Sequence, residues 1–136
     1  NIGVAGEFGV QGAQGNQGSQ GNQGAQGSQG SPREAKQTLT DGATVTWVIG
    51  SSRNAQVTLA GNRTLAISGA SNGDYGTLLV IQDGTGSRTI TLPAGSRVIG
   101  AGATTAITLS TAPSSRDILT FWYDGTNYYW NLGKGY

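Results

Sequence analysis

The sequence predicts a collagen-like triple helix followed by an all-β domain of the jelly-roll or β-sandwich type, with three copies of the chain in one molecule. Two observations support this prediction. Glycine recurs at every third position through the first thirty residues, and the remaining residues alternate β-branched or aromatic residues with polar ones between glycine-rich turns. We place the collagen-like stalk at residues 1–32 and the β head at residues 33–136.

The stalk prediction depends on the unbroken phase of its glycines. Only glycine fits at the crowded axis of a collagen triple helix, and one chain cannot form that structure alone, so the repeat predicts a homotrimer. A flexible linker is the alternative, but a linker has no reason to keep a period of three. At about 3.1 Å per residue the rod is about 90 Å long. The predicted axis residues are Gly3, Gly6, Gly9, Gly12, Gly15, Gly18, Gly21, Gly24, Gly27 and Gly30.

The stalk contains no proline before Pro32, in its last triplet. Proline pre-sets the polyproline backbone, so a proline-poor rod is expected to be weak by itself. Glutamine fills the third position of successive triplets from Gln11 to Gln29, where its amide is expected to bond to neighbouring chains. We expect the head to hold the three ends in register.

The head prediction comes from short alternating runs separated by turn signals. Turns are indicated at Gly61-Asn62, Asn72-Asp74, Asp83-Gly86, Pro93-Gly95 and Asp124-Thr126. About eight strands in a hundred residues are typical of a sandwich, jelly roll or small barrel. The predicted strands are Thr44–Ile49, Ala55–Ala60, Thr64–Ser68, Thr77–Gln82, Arg88–Leu92, Thr104–Ser110, Ile118–Tyr123 and Asn127–Leu132.

The last two predicted strands form the clearest hairpin, closed at Asp124-Gly125. On the outgoing strand Leu119 and Phe121 share one face, whereas Ile118 and Trp122 share the other. Both faces carry bulky side chains. In a single chain one of them would be an exposed apolar patch, so we expect it to pack against a neighbouring chain.

The overall composition argues against several classes of function. Charged residues make up 11% of the chain and the net charge is +1, which is unlike a nucleic-acid binder. No apolar run approaches the length of a membrane span. The absence of Cys and His from the sequence removes disulfides, thiolate zinc sites and imidazole bases, so we expect neither an enzyme nor a cofactor. Because the sequence starts in mid-repeat, we expect an upstream segment or protein to anchor it.

Two motifs connect the head to a known group of proteins. They are Gln82-Asp-Gly-Thr-Gly-Ser-Arg-Thr89 and Tyr123-Asp-Gly-Thr-Asn-Tyr-Tyr-Trp130. With the runs around them they resemble a C-terminal module of bacteriophage tail-fibre and head-fibre proteins, in which collagen-like repeats often precede the module. The resemblance covers nearly all of residues 37–132. It implies a trimer on the virion surface and carries no settled ligand site.

The acids are expected to build turns and not to bind metal, since Asp41, Asp74, Asp83 and Asp124 sit beside glycines. Asp117 and Asp124 are a weaker candidate pair for glycoside hydrolysis, which requires two carboxyl groups about 5–9 Å apart. We expect no phosphate cradle at the glycine-rich loop after Asp83. The arginines are expected to be solvated surface charge, available to an anionic bacterial polysaccharide where they cluster: Arg53, Arg63, Arg88, Arg97 and Arg116.

Aromatic side chains are the candidates for glycan contact. Trp122 and Tyr129 are the expected contact residues, because they alternate away from the face that carries Leu119 and Phe121. The alternative, that the rings fill the core or the trimer seam, stays open. The other aromatics considered are Trp47, Tyr123, Tyr128 and Trp130.

Three functions therefore compete. The first is a structural fibre whose head contacts the host surface or a surface polysaccharide. The second is a purely architectural capsid or tail decoration or trimerisation module, or a collagen-like filament of a bacterial spore or cell surface. The third is a glycan-degrading spike, for which a head of this length is short.

Overall fold

The computed structural model describes residues 34–136 and forms an all-β domain with no helix in that range. It therefore has no helix there that is long and apolar enough to cross a membrane. The predicted stalk glycines, Gly3 to Gly30, and the glutamines between them lie outside the described residues. The strands are β1 (Gln37–Thr38), β2 (Thr44–Val48), β3 (Asn54–Leu59), β4 (Arg63–Ser68), β5 (Tyr75–Gln82), β6 (Ile90–Thr91), β7 (Ser96–Val98), β8 (Gly102–Ala103), β9 (Arg116–Tyr123) and β10 (Tyr128–Gly133).

The strands form two sheets, and the chain alternates between them from β1 to β6. The larger sheet has the order β1-β3-β5-β9-β10-β7-β8 and the smaller has the order β2-β4-β6. Successive strands of each sheet are parallel as far as β5 and β6. This part of the head therefore winds like a β-solenoid, in which each turn adds one strand to each sheet. The antiparallel pairs β5-β9 and β9-β10 then extend the larger sheet.

The all-β class is confirmed, whereas the jelly-roll topology is wrong. A jelly roll is built from antiparallel strands, but in-register parallel pairs join Ala55 to Leu78 and Val45 to Leu65. The inward-facing side chains of both sheets are apolar and enclose one core. A β-sandwich and a β-solenoid share this feature. The alternation of apolar and polar residues along a strand indicates which face is buried. It is the same for parallel and antiparallel pairing, so it could not distinguish them.

Most of the predicted strands are present, with two corrections. Thr104–Ser110 is not a strand, because its only ladder contact is a single bridge between Thr91 and Ala106. Leu109 of this segment is nevertheless buried, which explains the apolar pattern without strand pairing. The expected Arg88–Leu92 strand shortens to β6, and the short strands β1, β7 and β8 are additional.

Three aromatic rings organise the core beneath the larger sheet. The rings of Trp47 and Phe121 pack edge to face at 5.3 Å between centroids, and Phe121 lies 5.1 Å from Trp130. The buried indole nitrogens donate to the carbonyl of Ser52 at 3.0 Å and to the hydroxyl of Ser96 at 2.9 Å. These bonds satisfy the polar edges of both indoles, so the rings are fixed as well as buried.

Candidate functional site

Three exposed aromatic rings lie on the outer face of the larger sheet, one on each of three adjacent strands. They are Tyr75 on β5, Trp122 on β9 and Tyr129 on β10, which are 58%, 50% and 42% exposed. The strand register places Trp122 opposite both Tyr75 and Tyr129. We call these three residues the aromatic ladder. Sheet spacing puts the backbones of successive members about 4.8 Å apart, perpendicular to the strands.

The turn between β9 and β10 fixes which rings face outward. The carboxylate of Asp124 accepts hydrogen bonds from the backbone N–H groups of Thr126 at 2.8 Å and Asn127 at 2.7 Å. Gly125 adopts a left-handed conformation with φ 95°. This turn pairs Tyr123 with Tyr128, and a slip of one residue would exchange the two faces.

The Tyr129 ring is held on both sides. Its hydroxyl donates to the Asp124 carboxylate at 2.8 Å, and its ring lies 6.3 Å from the Trp122 ring with a tilt of 36°. Backbone N–H groups of Asn127 and Thr126, followed by the Tyr129 hydroxyl, hold the pKa of Asp124 below its usual range. The carboxylate therefore stays ionised at neutral pH and orients the ring above it.

The two ends of the ladder differ in charge. Next to Tyr75, the Arg53 guanidinium lies 5.1 Å from the ring centroid. It is also paired with Glu34 at 2.8 Å and Asp74 at 3.1 Å, so its charge is largely neutralised. At the other end Arg97 lies opposite Tyr129 in the register and is exposed. Within residues 34–136 no carboxylate forms an ion pair with Arg97.

An open cavity of about 290 Å³ lies at the Arg97 end of the ladder. The side chains around it combine one guanidinium, one amide, apolar surface and the edge of the ladder. The residues that line it are Arg97, Val98, Ile99, Tyr129, Trp130 and Asn131.

A polar row runs beside the ladder on the same sheet face. Register pairs place Thr77 beside Thr120 and Thr120 beside Asn131, two residues along each strand from the ladder. Their hydroxyls and amide lie next to the rings. Flat apolar rings beside neutral hydrogen-bonding groups suit a sugar, which presents C–H groups on one face and hydroxyls at its edges.

The expected contact residues Trp122 and Tyr129 are thus both exposed and adjacent, while Trp47 and Trp130 are buried in the core. Tyr123 and Tyr128 lie half-buried and stack on each other at 4.3 Å. Sequence reasoning missed Tyr75, because the turn at Asn72-Asp74 hides the start of β5. The alternation that continues back from Thr77 by two residues is the signal that identifies it.

The acidic residues build turns and ion pairs. Asp83 accepts from the backbone of Thr85 and Gly86, and Asp74 accepts from Ser71, which confirms the turn prediction for them. The expectation that the arginines are merely solvated is wrong for three of them. Besides the contacts of Arg53, Arg63 pairs with Asp41 at 2.7 Å and Arg88 pairs with Asp83 at 2.8 Å.

The candidate hydrolytic pair does not form a site. Asp117 is buried at the start of β9, where it accepts bonds from Ser110 and from the backbone of Gly135. Asp124 follows the other end of the same strand, so about 3.3 Å per residue separates them by about 23 Å. Within the described range, no three acidic side chains are grouped to hold a metal ion.

Comparison with known proteins gives one informative result. Residues 45–128, more than half of the chain, match the family model described as "Putative phage tail fibre C-terminal domain". Searches of curated proteins and of solved structures return no match. The matched range includes Tyr75 and Trp122 and ends one residue before Tyr129.

Proposed function

This chain belongs to the phage tail fibre C-terminal domain family, and from that premise we propose that it is a non-enzymatic subunit of a homotrimeric virion fibre. In this proposal the collagen-like stalk of residues 1–32 carries the β head of residues 33–136. The head contacts a glycan of the host surface through Trp122 and Tyr129, and an upstream virion segment or protein anchors the stalk. Membership of the family makes the chain a virion-associated structural protein, which favours a phage over a bacterial surface filament.

The exposed aromatic ladder is the observation that supports glycan contact. Half of the Trp122 surface reaches solvent beside a Tyr129 ring that Asp124 holds in place. A pre-positioned ring loses little conformational freedom when a ligand stacks on it, so more of the contact energy appears as affinity. The neighbouring Thr120 and Asn131 offer hydrogen bonds to sugar hydroxyls.

The test uses the full 136-residue chain, fluorescently labelled, against a panel of bacterial cells and purified surface polysaccharides. We expect saturable binding that falls at least tenfold in Trp122→Ala and in Tyr129→Ala. Tyr136→Ala is the matched control, because Tyr136 is exposed at 69% yet lies outside the ladder. Sedimentation of every variant must give three times the chain mass. Absence of binding across the panel, or equal losses in all three variants, would refute the adhesive role.

A second function, the purely architectural one, is favoured by the position of Tyr75. Arg53 links this ring to Glu34, four residues after the last stalk glycine. Tyr75 is 58% exposed beside a guanidinium whose charge is neutralised, and tyrosine and arginine are enriched in the cores of protein interfaces, so this end of the ladder suits a seam between neighbouring chains. We expect Tyr75→Ala to weaken the trimer more than Tyr129→Ala does. A stable trimer in Tyr75→Ala by sedimentation would argue against a seam at this end.

A further inference from the structure

We propose that the cavity at the Arg97 end of the aromatic ladder is a subsite for the carboxylate-bearing unit of an acidic polysaccharide. This inference rests on the proposed glycan-binding function and names its ligand class. The carboxylate of a uronic or sialic acid unit would bind the Arg97 guanidinium while its ring stacks on Tyr129.

The parallel pairing of β7 with β10 assembles the subsite. In this register Arg97 lies opposite Tyr129, and Val98 lies opposite Trp130. The backbone N–H of Ile99 donates to the Trp130 carbonyl at 3.1 Å and extends the pairing by one residue. The Ile99 side chain is 67% exposed, so it forms an apolar wall that no other described residue covers.

The strand that carries Arg97 is anchored from below. The hydroxyl of Ser96, itself 3% exposed, accepts the indole N–H of Trp130 at 2.9 Å. Tyr128 donates its backbone N–H to the carbonyl of Gly95 at 3.0 Å. The chain that leads into Arg97 is therefore fixed before any ligand arrives, which lowers the entropic cost of binding.

The charge of Arg97 has a different environment from that of the paired arginines. Arg53, Arg63 and Arg88 each bind a carboxylate between 2.7 and 3.1 Å. Arg97 donates no side-chain hydrogen bond to any residue in the range 34–136, although it borders the cavity. Its planar fork of N–H donors matches the geometry of a carboxylate, which it can bind through two parallel bonds.

The surrounding groups complete the recognition of a sugar. The Asn131 amide lines the same cavity and both donates and accepts hydrogen bonds. The Asp124 carboxylate at the hydroxyl tip of Tyr129 disfavours a second anion there, which leaves Arg97 as the attractive end. A volume of about 290 Å³ lies just below the range of roughly 300–1,000 Å³ for drug-sized ligand pockets, so it suits a ligand as small as a single sugar unit.

The experiment measures binding of the full trimeric chain to acidic oligosaccharides and to their methyl esters by calorimetry. The probes are tetragalacturonate, a hyaluronan tetrasaccharide and a sialic acid tetramer. Esterification removes the charge but keeps the sugar shape. We expect at least one acid to bind tenfold or more tightly than its ester, with an affinity that falls as salt rises.

Two arginine variants separate the subsite from general attraction. Arg97→Gln should abolish the preference for the acid, so that the acid and its ester bind this variant with equal affinity. Arg116→Gln is the control, since Arg116 is exposed on the same sheet, forms no ion pair within the described residues and lies far along β9 from the ladder. Equal losses in both variants, or no acid preferred to its ester, would overturn the inference.

The same measurements distinguish failure of the subsite from failure of the proposed function. If the acids and their esters bind equally well and this binding depends on Trp122, the subsite is refuted, whereas the proposed glycan-binding function of the head is supported. A chain that binds no oligosaccharide, no cell and no polysaccharide refutes both.

Discussion

Replacing Gly76 with alanine tests whether the core rings beneath the ladder are as rigid as the structure indicates. Gly76 follows Tyr75 on β5 and faces inward. A Cβ atom there would lie 2.7 Å from Cη2 and Cζ2 of Trp47 and 2.9 Å from Cε1 of Phe121. Both rings are buried, and the Trp47 indole is tied to the Ser52 carbonyl. Neither ring can retreat without breaking its own contacts.

The expected magnitude follows from two opposing effects. Forcing an extra methyl group into a packed core costs about 1–3 kcal/mol, and contacts below 3 Å with rigid rings place this change near the upper limit. Replacing glycine restricts the unfolded chain and returns about 0.4–1 kcal/mol. The net loss is about 2 kcal/mol. At about 4–8 °C per kcal/mol for a head of this size, the melting temperature of Gly76→Ala should fall by about 8–16 °C.

Tryptophan fluorescence during thermal unfolding is the appropriate assay, because all tryptophans of the chain, Trp47, Trp122 and Trp130, lie in the head. Chain concentration is kept fixed, since an oligomer's melting temperature depends on it. Gly50→Ala is the matched control: a Cβ there meets nothing within 4 Å. If Gly76→Ala melts within 2 °C of Gly50→Ala, the rings yield and the reasoning fails.

Three further outcomes are expected. Arg88 and backbone N–H groups hold the pKa of Asp83 well below its ordinary range, so this contribution to stability is complete above about pH 4. The stabilisation by ionised Asp83 is lost as the pH falls. The melting temperature of Asp83→Asn should therefore decline less between about pH 4 and pH 2 than that of the unchanged protein. Gly86→Ala should lower the melting temperature more than Gly76→Ala does, because φ is 77° and the added Cβ collides with the carbonyl oxygen of Thr111; an equal or smaller drop would contradict this. Replacing Gln17, Gln20 and Gln23 together with alanine should lower the melting temperature of the proposed stalk, measured by circular dichroism. An unchanged melting temperature would exclude hydrogen bonding between chains by these amides.

The β9-β10 hairpin was predictable because its determinants are local. Asp124 and Gly125 define the turn, and the turn defines the register that places Trp122 and Tyr129 outward. The same local logic fails at Thr104–Ser110. There the alternating side chains bury Leu109 without a neighbouring strand edge to pair with, and a periodic pattern reports burial alone.

The direction of the strands was not predictable, because it depends on contacts between distant segments. Val45 pairs with Leu65 and Ala55 pairs with Leu78, and nothing in either run specifies a parallel partner. The absence of an ion pair at Arg97 within residues 34–136 was equally hidden. The five arginines within residues 34–136 look alike in sequence, and only the fold shows which have carboxylates beside them.

The proposed glycan contact implies a direction for a bound polymer along the ladder, which chain length can test. Tyr75, Trp122, Tyr129 and Arg97 lie across adjacent strands, so a linear polysaccharide that follows them runs perpendicular to the strands. A single sugar unit that binds Arg97 and stacks on Tyr129 would not reach Trp122, because each strand adds about 4.8 Å. We expect the loss of affinity in Trp122→Ala to grow from monosaccharide to tetrasaccharide, whereas the loss in Arg97→Gln stays constant. Calorimetry across this series measures both losses, with Arg116→Gln as the unchanged reference. Losses independent of length in both variants would indicate a compact site and exclude a polymer lying along the ladder.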